Sequence, residues 1–135
     1  MLLALVLFAI AAVGYGIALT RTGKVSGASI GSRRHELHTP ATPEQAFAAI
    51  RAIGLPYTID DADPIRKILV LSSPVTFFSW GFFYPVFLHA EPGGTKIDVG
   101  CHSKFLQMGP LVSRAHDNAR RAIEAALSVP AARVA

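Results

Sequence analysis

The first charged side chain in this 135-residue chain is Arg21, and Leu2 to Leu19 form an unbroken uncharged run dominated by Leu, Ala, Val and Ile. Eighteen to twenty helical residues at about 1.5 Å each span roughly 27–30 Å, the hydrocarbon thickness of a bilayer. About a hundred residues then remain for a folded domain, enough for one small core.

Two readings of the run compete. A cleavable secretory signal calls for positive residues ahead of a shorter apolar stretch and a small-residue cleavage site. Here only the α-amino group precedes the run, and Gly16-Ile17-Ala18 is a weak site. Arg21, Lys24, Arg33 and Arg34 follow, with no acidic residue before Glu36. Segments rich in Lys and Arg stay on the cytoplasmic side, so the bias predicts a retained single-pass anchor in a cell inner membrane, N-terminus out and domain in the cytoplasm. The lone cysteine, Cys101, excludes an internal disulfide and agrees with a reducing compartment.

The net charge of +4 suggests nucleic acid until it is located. Residues 20–34 carry four basic and no acidic side chains, leaving nine of each in residues 35–135. The domain is therefore neutral. The excess lies beside the anchor, where each Lys or Arg near an anionic leaflet contributes about 1 kcal/mol. With no basic face interleaved with aromatics, nucleic-acid binding is disfavoured.

Composition divides the chain into an anchor over 1–20, a basic Gly/Ser-rich linker over 21–34 that reads as a flexible tether, a domain over 35–128 and a disordered tail over 129–135. Thr42-Pro43-Glu44-Gln45 supplies a capping box and a first-turn proline, so a helix starts there, with Phe47, Ile50 and Ile53 at helical spacing and Gly54 as a left-handed stop. A second helix is predicted over 111–127, with Leu111, Ala115, Ala119, Ile123 and Leu127 inward and the pairs Asp117/Arg121 and Arg120/Glu124 exposed. Residues 33–38, 56–60, 66–72, 76–90 and 95–103 read as strands separated by DDADP, SSP and EPGG turns. A Gly93-Gly94 hairpin loop would set Glu91 opposite Lys96 and Leu88 opposite Val99, with Tyr84, Val86, Leu88, Ile97, Val99 and Cys101 on one face. The order β-α-β-β-β-β-α is an α+β sandwich, a small antiparallel sheet backed by two helices.

The stretches ATPEQAFAAIRAIG, GGTKIDVGCHSKF and SRAHDNARRAIEAAL resemble an uncharacterised bacterial family of small membrane-associated or exported proteins of unknown function. Its members carry a P-x-E-x-A-F helix, a GGT-[RK]-[VI]-D-V hairpin and an N-x-R-R closing helix. Ser113, Asn118, Arg120 and Arg121 match that closing pattern, whereas Arg114 and His116 replace the family's aspartate and glycine. A site built on those two residues would be altered here. The helix-first order is also similar to START-type helix-grip domains, with a strand or two fewer.

Chemistry is hard to assemble from these residues. His35 and His38, like Cys101 and His102, fall on opposite faces of an extended chain, so the five histidines offer no metal-ligand spacing. Asp60, Asp61 and Asp63 precede Pro64 without the glycine and glutamate of a calcium loop, and read as a turn. Cys101 projects into the core as an inert thiol, and His116 and Asp117 diverge by about 100° on a helix. No nucleophile-base pair, metal set, cofactor motif or phosphate loop emerges, so an enzyme is disfavoured.

Phe77 to Phe87 holds seven of the twelve aromatic residues on both faces of one strand. Phe77, Trp80, Phe82 and Tyr84 cannot all share an inward face with Phe78, Phe83 and Phe87; Phe78, Trp80, Phe83 and Phe87 are the candidate partner surface, unless Gly81 and Pro85 bend the strand so that both sets reach core. In the anchor, Ala4, Ala11, Gly14 and Ala18 fall within an arc of about 80°, a face on which another helix can approach closely. These features predict a non-catalytic accessory or assembly subunit that binds a larger membrane-protein complex through Ala4, Ala11, Gly14, Ala18, Phe78, Trp80, Phe83 and Phe87, with Arg21, Lys24, Arg33 and Arg34 at the membrane surface. The alternative is a membrane-tethered binder of a lipid or other apolar molecule in the groove between sheet and helices.

Overall fold

The computed structural model describes residues 1–28, 34–74, 81–104 and 110–128. Helix α1 (Leu2–Thr20) is followed by a short 3-10 turn (Val25–Gly27), then β1 (Arg34–Thr39), α2 (Pro43–Arg51), β2 (Thr58–Asp63), β3 (Ile68–Ser72), β4 (Phe82–Glu91), β5 (Gly94–Gly100), β6 (His102–Ser103) and α3 (Pro110–Leu127). All pairings are antiparallel, in the order β1-β5-β4-β3-β2, with β6 on β4. The pairs Phe83/His102 and Phe82/Ser103 continue the register of Val86/Val99, so β6 prolongs β5 past Cys101. The α+β class is as the sequence indicated.

The hairpin differs from expectation by two residues. Glu91 pairs with Gly94 and Leu88 with Ile97, so Pro92-Gly93 forms the loop. Proline presets the first central position of a type II turn and Gly93, at φ 84°, takes the second, which requires positive φ. A two-residue slip preserves facing, and Tyr84, Val86, Leu88, Ile97 and Val99 still line the buried side. At Gly94 a Cβ would lie 1.9 Å from the Thr39 carbonyl oxygen, so β1 closes on the hairpin only over glycine.

Both domain helices cover this inner face. The Thr42–Gln45 capping box starts α2, which buries Ala46, Phe47 and Ile50. Gly54 is not in the left-handed region; α2 ends instead at Ala52, whose N–H reaches the Ala48, Ala49 and Ile50 carbonyls. On α3 the buried stripe is Val112, His116, Ala119 and Ile123, with Ala115 and Leu127 partly buried. His116, not an expected stripe member, takes a core position and its Nε2 lies 2.6 Å from the Val99 carbonyl oxygen. The exposed pairs form as the spacing indicates, Arg121 to Asp117 at 3.0 Å and Arg120 to Glu124 at 2.8 Å.

Helix α1 has 19 residues with mean hydropathy 2.6, long and apolar enough to cross a bilayer, properties that a signal sequence shares. Leu3, Phe8 and Val13 are 71%, 75% and 61% exposed, whereas Gly14 and Ala18 are buried by the chain itself. Its last turn is closed by Thr20, whose hydroxyl donates to the Gly16 and Ile17 carbonyls.

Candidate functional site

The sheet face opposite α2 and α3 is not left bare. A β-bulge between Ile59 and Asp61 interrupts the β2–β3 register and brings two consecutive carboxylates to the segment that leaves α1. Asp60 Oδ2 accepts from the Gly23 N–H at 2.9 Å and Oδ1 from the Ser72 hydroxyl at 2.8 Å. Asp61 Oδ2 accepts from the Val25 N–H and Oδ1 from the Ala62 N–H, each at 2.9 Å. The Val25 N–H holds the Asp61 carboxyl below its ordinary value of 3.8. The DDADP stretch is thus not the turn its composition suggested. Asp60 to Asp63 belong to β2, and the turn lies at Pro64–Lys67, where Asp63 accepts from the Ile65 and Arg66 N–H groups.

Those carboxylates fasten a strap, residues 21–27, across the sheet. Val25 packs with Val70 and Phe83 as a second apolar cluster, with Ile68 and Ala28 at its edge. Contact at Gly23 is close enough that a Cβ there would sit 2.4 Å from Val70 Cγ1. The Arg21 guanidinium lies 5.3 Å and the Lys104 ammonium 5.4 Å from the centre of the Phe83 ring, and Arg21 donates to the Lys104 carbonyl oxygen at 2.8 Å. In place of a flexible tether, the first part of the basic segment is structured against the domain. Arg33 lies outside the described residues, and so do Phe78 and Trp80.

Phe83 was expected in a partner-facing set, yet it is 7% exposed. Its cover is the strap, and Pro85 stays in register opposite Val70. Phe87 on the same face is half-buried. The missed residues are Gly23, Val25, Asp60 and Asp61. Two acids inside an extended stretch and an outward aromatic needing cover were the available signals.

Between the strap and the sheet runs an open cleft of about 520 Å³. Arg21, Gly23 and Lys24 form its strap side, Val70, Phe83 and Pro85 its apolar floor, and His102 closes one end. Lys104, only 7% exposed, borders it through Phe83, and burial pushes its ammonium below the usual lysine value.

The other candidates are dispersed. His35 rests on His116 with ring centres 4.1 Å apart, on the α3 side. His38 Nδ1 lies 2.7 Å from Glu91 Oε1 on the opposite face, and this hydrogen bond raises its pKa above 6.5. Cys101 is buried and His102 exposed. Arg34 lies 3.9 Å from Asp98, a 4%-exposed carboxylate also 3.3 Å from His89 Nε2 and 4.0 Å from Lys96. Among the small residues of α1, Ala4 and Ala11 are exposed and Gly14 and Ala18 are covered.

No family model matches the sequence, and no curated protein matches it. Among solved structures, the crystal structure of Ara h 8.0201 superposes with a TM-score of 0.53 over 76% of this chain and 95% of that one, at 14% identity. Similarity at that identity speaks for the fold alone: the domain is similar to the START-like helix-grip architecture. Among the described residues the inner groove is filled, since Tyr84, Val86, Val99 and Ile123 are each 0–1% exposed.

Proposed function

We propose that the chain is a single-pass membrane protein whose helix-grip domain is fixed at the cytoplasmic surface and serves, without catalysis, as an accessory or assembly subunit of a larger membrane-protein complex. The observation that carries this reading is the strap. A module that only captures a diffusing ligand functions on a loose tether, whereas Gly23 and Val25 bonded to Asp60 and Asp61 hold the domain within a few residues of the end of α1. A short docked link suits a subunit that presents one face to a partner in the same membrane. The exposed Ala4 and Ala11 leave α1 a close-approach face for that partner's helix.

Mild-detergent purification followed by mass analysis tests this. A stoichiometric membrane-protein partner is expected, and a monomer in every detergent gentle enough to preserve complexes would overturn it. The second reading, a tethered binder of an apolar or amphipathic molecule, is favoured by the helix-grip likeness and by the cleft of about 520 Å³. With the inner groove filled, the strap-side cleft is the place for such a ligand; extractable lipid bound to a monomer would favour this reading over the first.

A further inference from the structure

We infer that the cleft between the strap and the outer sheet face binds the headgroup phosphate of an anionic phospholipid from the leaflet at which α1 ends. This inference rests on the reading of α1 as a retained membrane span.

Position comes first. Thr20 is the last residue of α1 and Arg21 to Lys24 border the cleft, so the site lies within four residues of the span's end. Four residues reach at most about 14 Å when extended. The headgroup layer beyond the hydrocarbon is roughly 5–8 Å deep on each side. Chain connectivity therefore keeps the cleft within about 14 Å of the hydrocarbon edge, in or next to the headgroup layer.

Charge comes second. Arg21 and Lys24 line the cleft and Lys104 lies beside it over the Phe83 ring, and none of the three forms an ion pair among the described residues. Two of these cations share the Phe83 ring, and the Lys104 ammonium, on a residue 7% exposed, makes no hydrogen bond among the described residues. A phosphate between these groups would supply charge-assisted bonds to several of them. Asp60 bears on Lys104 through its charge without forming an ion pair, and the four oxygens of Asp60 and Asp61 already accept from Gly23, Ser72, Val25 and Ala62.

Shape comes third. Val70, Phe83 and Pro85 form a floor on which the glycerol and first methylenes of a lipid can lie, which a free phosphate would leave unused.

The test uses the full chain in nanodiscs of phosphatidylcholine containing a minority of phosphatidylglycerol, released into mild detergent for native mass spectrometry. Retention of one phosphatidylglycerol per chain, in preference to phosphatidylcholine, is expected. Lys104→Met should reduce that retention by about tenfold, the loss of one charge-assisted contact. Lys24→Gln alters an exposed side chain, and should reduce retention by a smaller factor. Both variants retaining the lipid at the wild-type level would overturn the inference, as would wild-type retention of the two lipids in proportion to their supply. Displacement of the lipid by inorganic phosphate would equally overturn it, by assigning the site to the free anion. Alkaline carbonate extraction separates the premise from the inference: release of the chain from membranes defeats both, whereas a carbonate-resistant chain with no lipid preference defeats only this one.

Discussion

Gly23→Ala should loosen the strap and leave the domain intact. The added Cβ would meet Val70 Cγ1 at 2.4 Å and Phe83 Cδ1 at 3.1 Å. Val70 is 3% exposed on β3, and a valine has few rotamers with which to retreat, so the strap must give way. Overpacking of this kind costs about 1–3 kcal/mol. Because Gly23 does not occupy the positive-φ region, the alanine recovers about 0.4–1 kcal/mol by restricting the unfolded chain. At mid-range values the net cost is about 1.3 kcal/mol, a shift of roughly tenfold toward the undocked strap. Hydrogen exchange of single amides reads that equilibrium directly, since the Gly23 and Val25 N–H groups are protected only while bonded to Asp60 and Asp61. Their protection should fall by this factor while Leu69 and Val86 amides stay unchanged. Equal protection at residues 23 and 25 in variant and wild type would refute the steric argument; a matching loss across β3 and β4 would refute the separability of strap and domain.

Acidification should release the strap. The Asp61 carboxyl is lowered on folding by its bond from Val25, so its contribution is present above the ordinary value of 3.8 and is lost as pH falls through the folded value. The Val25 amide resonance should move toward its unbonded position in that window, before the sheet unfolds. His38 titrates in the opposite sense: raised by Glu91, it supports β1 against the hairpin below pH 6.5, and that support is lost as pH rises through its folded value, readable from the His38 ring resonances. Gly94→Ala should cost about 3 kcal/mol or more in urea unfolding, because its Cβ would overlap the Thr39 carbonyl oxygen. His116→Ala should cost on the order of 2 kcal/mol by the same assay, through the lost bond to Val99 and the space left in α3's buried face.

The parts of the fold that depend on neighbours in sequence were legible. The Thr42–Gln45 box, the Asp117/Arg121 pair and the alternation along Tyr84–Leu88 each rest on residues within one or two turns. Hairpin register was not legible from alternation, because a slip of two residues leaves every side chain on its own face; it turned on Pro92 fitting a type II turn. Val112 and His116 widen the α3 stripe that Ala115, Ala119, Ile123 and Leu127 mark; His116 was not counted because it is polar, although its Nε2 meets the Val99 carbonyl and permits burial. The strap was invisible for a stronger reason. A Gly/Ser-rich segment with one useful valine has no period, and its partners Asp60 and Asp61 lie 37 and 36 residues away. Arg21 and Lys24 were read as membrane-surface charges; their shared place beside a cleft with Lys104 depends on tertiary structure.

Residual dipolar couplings of the full chain in aligned lipid bicelles test the strap's role as a rigid link between membrane helix and domain. With the strap docked, the amides of α1 and of β3 to β5 fit a single alignment tensor. Two distinct tensors, with the domain's much the smaller, would show a flexible tether and contradict the account.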